Sequence, residues 1–151
     1  MIFGKGQQED YYKNMVKELG VKNIAFFPLQ PYDLVSHVYS LGNASIVTCK
    51  NGLGKSAMPS KTWSIMSAGT AVIANFDADT DLERIINKNH LGVFTESNDH
   101  IALKDAILRL YWDEKETKML GINGRKYIIN NLTRLIQTNK YKETFRELED
   151  K

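Results

Sequence analysis

Two short stretches bring flexible backbone, hydroxyls and positive charge together: Asn51-Gly-Leu-Gly-Lys-Ser56 and Pro59-Ser60-Lys61. The chemistry they suit is anion binding. A helix opened by Pro59-Ser60-Lys61 directs unpaired N–H groups and the positive end of its dipole toward the preceding loop. Gly52 and Gly54 let backbone approach a ligand closely. With Cys49, the first stretch nearly spells a P-loop, but that pattern requires glycine where Cys49 stands. Pro59 falls where a P-loop helix would already be running and would break it. Nucleotide hydrolysis is therefore a poor reading, while the loop remains a site candidate. The bland alternative for Ser60 and Lys61 is an ordinary helix start followed by an exposed lysine.

Other residues bear weaker signals. Gly4-Lys5-Gly6 follows an apolar stretch and precedes a helical one, yet Glu9 occupies the third glycine position of a dinucleotide fingerprint. It reads either as a tight turn or as a turn facing phosphate or sugar. Asp77, Asp79, Asp81 and Glu83 alternate, and helix capping and solvation explain such a cluster more often than a metal does. Cys49 is the single cysteine, so no disulfide can form within the chain and a reducing compartment is the natural reading. It is expected to be a small buried residue. Three scattered histidines and one cysteine give no zinc spacing, and no metal is expected. The sequon Asn131-Leu-Thr133 is taken as chance.

These residues need elements to hold them. Residues 44–48 are predicted as a strand buried on both faces, 60–68 as a helix closed by Gly69, and 71–74 as a buried strand. Together they form a βαβ unit. Further strands are expected at Phe3, 24–27 and 92–95. Helices are expected over 7–19, 33–41, from a cap at Asp79, Thr80 or Asp81 to 88, from Asn98 or Asp99 through Leu110, and over 114–129 and 133–147. The alternation predicts an α/β fold: a three-layer Rossmann-like domain with a parallel sheet of about five strands and helices on both faces. Ligands of such sheets bind at the carboxyl ends of the strands. A chain of 151 residues with 42% hydrophobic and 25% charged residues suits one ordinary domain, residues 1–151. A net charge of +2 is too small to argue for nucleic acid. No apolar run approaches the ~20 residues of a membrane span. Because Met1-Ile-Phe-Gly opens as if at the end of a strand, the chain is expected to be a fragment lacking at least one strand and helix.

The order of Gly4-Lys-Gly6, Val21-Lys-Asn-Ile-Ala-Phe-Phe-Pro28, Pro31-Tyr-Asp-Leu34, Asn43-Ala-Ser-Ile-Val47, Pro59-Ser-Lys61 and Ile65-Met-Ser-Ala-Gly-Thr-Ala-Val-Ile-Ala74 resembles the C-terminal half of a GT-B glycosyltransferase. The retaining, family-4-like enzymes of capsular, exopolysaccharide and cell-wall synthesis are the nearest likeness. The resemblance implies a donor-binding domain for a nucleotide-diphosphate sugar of UDP or GDP type, acting without an essential metal. The missing N-terminal domain would carry the acceptor site, for a polysaccharide or lipid-linked acceptor, and any catalytic base; this half would stabilise the departing diphosphate, and the catalytic residues are left unassigned. The site would be cytoplasmic, with the full-length enzyme peripheral at the inner face of the membrane, and the isolated chain would not turn over. By the resemblance, Asn51, Gly52, Leu53 and Gly54 approach the sugar and diphosphate. The helix from Ser60 points at the diphosphate, Pro28 and Leu29 lie near the base, and Gly4, Lys5 and Gly6 border the interdomain cleft. Two departures stand out. Asn51 replaces a glutamate that holds the donor sugar, and Ser64 replaces one that holds the ribose. Lys55 or Lys61 is expected to supply charge that relatives draw from upstream. A non-catalytic nucleotide- or partner-binding module is the alternative.

Overall fold

At the amino end two very short strands, β1 (Ile2–Phe3) and β2 (Phe26–Phe27), pair in parallel, with Ile2 opposite Phe26 and Phe3 opposite Phe27. The computed structural model describes residues 1–149, which divide into two units, Met1–Val38 and the chain from Tyr39 onward. In the first unit the helix α1 (Glu9–Glu18) joins the two strands. Its first turn carries Glu9 and Asp10 and its last turn Lys17, in accord with the helix dipole. Gly20 ends it with φ 63°, and the Val21 N–H returns to the Val16 carbonyl. The Phe3 and Phe27 rings stack with centroids 4.8 Å apart. The strand expected over 24–27 is reduced to its last two residues. Pro28 ends it, having no N–H to donate. Tyr32–Leu34 forms a 3-10 turn leading into α2 (Val35–Ser40), where a single helix over 33–41 was expected. Apolar residues in and beside these helices are largely open to solvent: Tyr11, Leu19, Leu34 and Leu41 are exposed.

The second unit holds the core. β3 (Ala44–Thr48), β4 (Ala71–Phe76) and β5 (Gly92–Glu96) form a parallel sheet in the order β3-β4-β5. Ile46 lies opposite Ile73, which lies opposite Val93. Every residue of β4 is buried, as a central parallel strand covered on both faces requires. Its side chains alternate between two clusters. Val72, Ala74 and Phe76 join Val47, Ile65, Met66, Leu82, Ile86 and Leu91, supplied largely by α3 (Ser60–Ser67) and α4 (Asp81–Asn89). Ala71 and Ile73 join Ala106, Leu110 and Leu120, from α5 (His100–Trp112) and α6 (Glu114–Asn131). Helices therefore cover both faces, as the alternation predicts. At Gly121 the sheet connection passes so near α6 that a Cβ would lie 2.2 Å from the Gly69 carbonyl oxygen. The last helix, α7 (Arg134–Glu149), has no buried residue.

Two expectations need refining. The five parallel strands are present, but they are divided between a two-stranded and a three-stranded sheet. β3, expected to be buried on both faces, has only Val47 buried, and Ile46 is 47% exposed. As an edge strand hydrogen-bonded to β4 alone, it does not share the cover that β4 receives on that face.

Candidate functional site

The loop between β3 and α3 is shaped by contacts at the carboxyl end of the sheet. The Leu53 N–H donates to the Lys50 carbonyl at 3.1 Å, closing a turn in which Gly52 has φ 85°. A side chain would strain that left-handed backbone. Gly54–Ser56 then makes one 3-10 turn. Gly54 is buried against Phe76, where an added Cβ would sit 2.9 Å from the ring. Its N–H donates to Asp77 Oδ2 at 2.8 Å.

Asp77 follows β4 directly and is 8% exposed. Its other oxygen accepts a hydrogen bond from Ser97 Oγ, just beyond β5. The Ser97 hydroxyl and the Gly54 N–H hold its carboxyl below the ordinary carboxylate range, against the opposing effect of burial. The Gly52 N–H and the Lys55 charge add to the lowering. One carboxylate thus ties together the segments that follow three neighbouring strands. It also turns the Gly54 N–H inward, so that glycine serves the loop by close packing and not as a donor to an outside anion.

The start of α3 is arranged differently from those of the later helices. Thr80 caps α4, Asp99 caps α5 and Asp113 caps α6, each accepting from a first-turn N–H. At α3 the N-cap is Pro59, no side chain caps the helix, and its first turn carries no acidic residue. Lys55, Ser60 and Lys61 are exposed around it. This combination leaves first-turn donors without a side-chain acceptor in a region of positive charge, which favours an anion. Ser64 lies one turn on, exposed, with its hydroxyl donating to the Ser60 carbonyl at 3.4 Å. Thr62, between them, is fully buried, and its hydroxyl has no partner. Asn51 and Leu53 are exposed on the loop. Of the residues predicted from sequence, the second unit therefore gathers Asn51, Gly52, Leu53, Gly54, Lys55, Ser60, Lys61 and Ser64 on one loop and the helix it feeds.

The remaining predicted residues lie in the first unit. Parallel pairing of β1 with β2 brings the Gly4–Gly6 turn beside Pro28 and Leu29, and the Gly4 N–H donates to the Phe27 carbonyl at 3.2 Å. Gly4 has φ 148° and open space where a Cβ would point. Lys5, Gly6, Pro28 and Leu29 are exposed.

The acidic cluster resolves into local roles. Thr80 Oγ1 accepts from the Glu83 N–H while Glu83 Oε2 accepts from the Asp79 N–H, a reciprocal cap. Asp81 pairs with Arg84 at 2.6 Å. Asp77, read from sequence only as one of the acidic cluster, is the member that instead holds the loop after β3. The available signal was a carboxylate placed directly after a largely apolar central strand, at the end of the sheet where ligands bind. Cys49, expected to be buried, is only half-buried, although it does pack against the α3 and α4 cluster. Among the described residues no group of three or more His, Cys, Asp or Glu is placed to hold a metal, and no helix is long and apolar enough to cross a membrane.

Comparison with known proteins agrees with this architecture. Over 84 residues the chain is 30% identical to WcaI of Escherichia coli (strain K12), a protein named for a proposed role as a colanic acid biosynthesis glycosyl transferase. That alignment covers 56% of this chain and 21% of WcaI. Sucrose-phosphate synthase (tll1590) from Thermosynechococcus elongatus superposes with a TM-score of 0.75 at 21% identity, over 96% of this chain and 35% of that one. TarM superposes with a TM-score of 0.73 at 18% identity, over 93% of this chain and 27% of its own. The chain thus spans about a fifth to a third of the length of these proteins. The fold is that of a GT-B glycosyltransferase domain. The family model for glycosyl transferases group 1 matches residues 1–127, and the chain belongs to that family.

Proposed function

We propose that this chain is the donor-binding half of a glycosyltransferase and receives the diphosphate of a nucleotide sugar at the start of α3. The observation that carries the reading is the uncapped first turn of α3, free of acidic residues and flanked by Lys55 and Lys61. With the Gly54 N–H committed to Asp77, the diphosphate is read as facing the helix turn and the two lysines. Electrostatic stabilisation of the departing nucleoside diphosphate is then the catalytic contribution of this half, with no metal needed. Asn51 is read as a neutral partner for the donor sugar, Ser64 as a ribose neighbour, and the Pro28-Leu29 turn as the neighbour of the base. The whole protein would transfer a hexose with retention of configuration to a polysaccharide or lipid-linked acceptor, at the cytoplasmic face of the membrane.

The test is calorimetric titration of the 151-residue chain with UDP-glucose and GDP-mannose, with and without EDTA. Binding of one of them, insensitive to chelator and weakened about tenfold in Lys61→Ala, is the expected result; an interaction of a lysine with phosphate in a partly shielded site is of this size. Sugar transfer is not expected from this chain alone. Equal affinity in Lys55→Ala, Lys61→Ala and the unsubstituted protein would remove the assignment of the diphosphate to α3. One observation favours a second reading, a module that binds without chemistry. The hydroxyl of Ser64, which by the resemblance replaces a ribose-holding glutamate, is turned to its own helix. A full-length protein that binds donor yet transfers no sugar would decide for that module.

A further inference from the structure

We propose that Asp77 is the positioning residue of the donor site, locking the loop after β3 in the form that presents Asn51 and Lys55 outward. The inference rests on the donor reading of α3 and adds to it the element that holds the site open. Two donors converge on this one carboxylate: Ser97 Oγ and the Gly54 N–H. They come from the end of β5 and from the loop after β3, while Asp77 itself stands at the end of β4. The backbone around Asp77 is fixed in turn. The Thr80 hydroxyl donates to its carbonyl at 3.0 Å, and Asn75, two residues before it, donates to Thr95 Oγ1 and the Glu96 carbonyl at 3.0 and 2.7 Å. The carboxylate is therefore held by the rigid part of the unit, and the loop is held by the carboxylate. With the Gly54 N–H drawn inward, the exposed side chains of Asn51 and Lys55 face solvent. Without the clasp, a glycine-bearing loop samples many conformations, and apparent affinity falls by the fraction of time spent in the competent one.

The experiment pairs amide hydrogen exchange, followed by NMR on the 15N-labelled 151-residue chain, with titration by the better binding of UDP-glucose and GDP-mannose. In Asp77→Ala the Gly54 amide is expected to lose its protection while the amides of Val72, Ile73 and Ala74 keep theirs. Affinity is expected to drop about tenfold, the loss of a charge-assisted clasp passed on to loop order. Ser97→Ala removes one bond only and is expected to give about a threefold loss. Asp77→Asn can still accept from the Gly54 N–H and is expected to restore most of the affinity, which a generally destabilised fold would not allow. Equal affinity in Asp77→Ala and the unsubstituted protein overturns the positioning role alone. So does full protection of the Gly54 amide in Asp77→Ala. Absence of binding to the unsubstituted protein overturns the donor reading and the inference with it.

Discussion

Single residues decide how the loop after β3 is shaped. At Gly54 the constraint is space, because the Phe76 ring and the Asp77 Cβ stand where a side chain would begin. Phe76 is 1% exposed and has nowhere to retreat. Gly54→Ala is therefore expected to destabilise the protein by about 1–3 kcal/mol, the usual cost of forcing an added methyl into a packed core. Urea denaturation measures this directly, and a midpoint equal to that of the unsubstituted protein would show that the loop yields freely. At Gly52 the constraint is φ, a milder demand of about 1 kcal/mol. The sequence showed both glycines as a flexible loop but could not show the difference between them. That difference depends on Phe76 and Asp77, which become neighbours of the loop only when β3 pairs with β4. For the same reason Asp77 read as one of four similar acids. Its separate role is created by Ser97, twenty residues on.

Elements carry the electrostatics. α3 has no side-chain cap, whereas α4, α5 and α6 each have one, and Pro59 is the residue that stands at its N-cap. Pro59→Asp places a capping carboxylate there. It is expected to stabilise the helix by about 0.5–1 kcal/mol, through the cap and the dipole. The same change is expected to weaken nucleotide-sugar binding at least severalfold, because the new charge occupies the donors and repels the diphosphate. Thermal denaturation and titration read the two effects separately. A stabilised variant with undiminished affinity would mean that the ligand lies elsewhere. This element was legible from the sequence because its signals are local: proline at the start, Gly69 at the end and apolar spacing between. β4, α4 and α5 were legible for the same reason, with Thr80 and Asp99 among the caps anticipated. β3 was not fully legible. Its apolar run resembles a central strand, and only the strand order reveals it as an edge.

At the scale of the whole molecule, burial is distributed unevenly along the chain. Among the described residues, all the buried hydrophobic ones lie between Val47 and Leu120, and none of residues 1–38 is buried. The strands β1 and β2 contribute two residues each and α1 ten, with no fully buried side chain among them. A pair of such short strands is held by its ladder bonds, one aromatic stack and the Lys13 ammonium 6.0 Å from the Phe26 ring centroid, while the exposed Lys13–Glu9 ion pair lies within α1 and is weak. β4 is buried on both faces and hydrogen-bonded on both edges, so its amides exchange only when the second unit unfolds as a whole. Native-state hydrogen exchange in rising denaturant is therefore expected to show two isotherms. The amides of Tyr12 and Leu19 in the first unit should exchange through an opening that costs several kcal/mol less than the global one that frees Ile73 and Ala74. Convergence of all four on a single free energy would mean that the molecule unfolds as one cooperative block, despite the concentration of its core in the second unit.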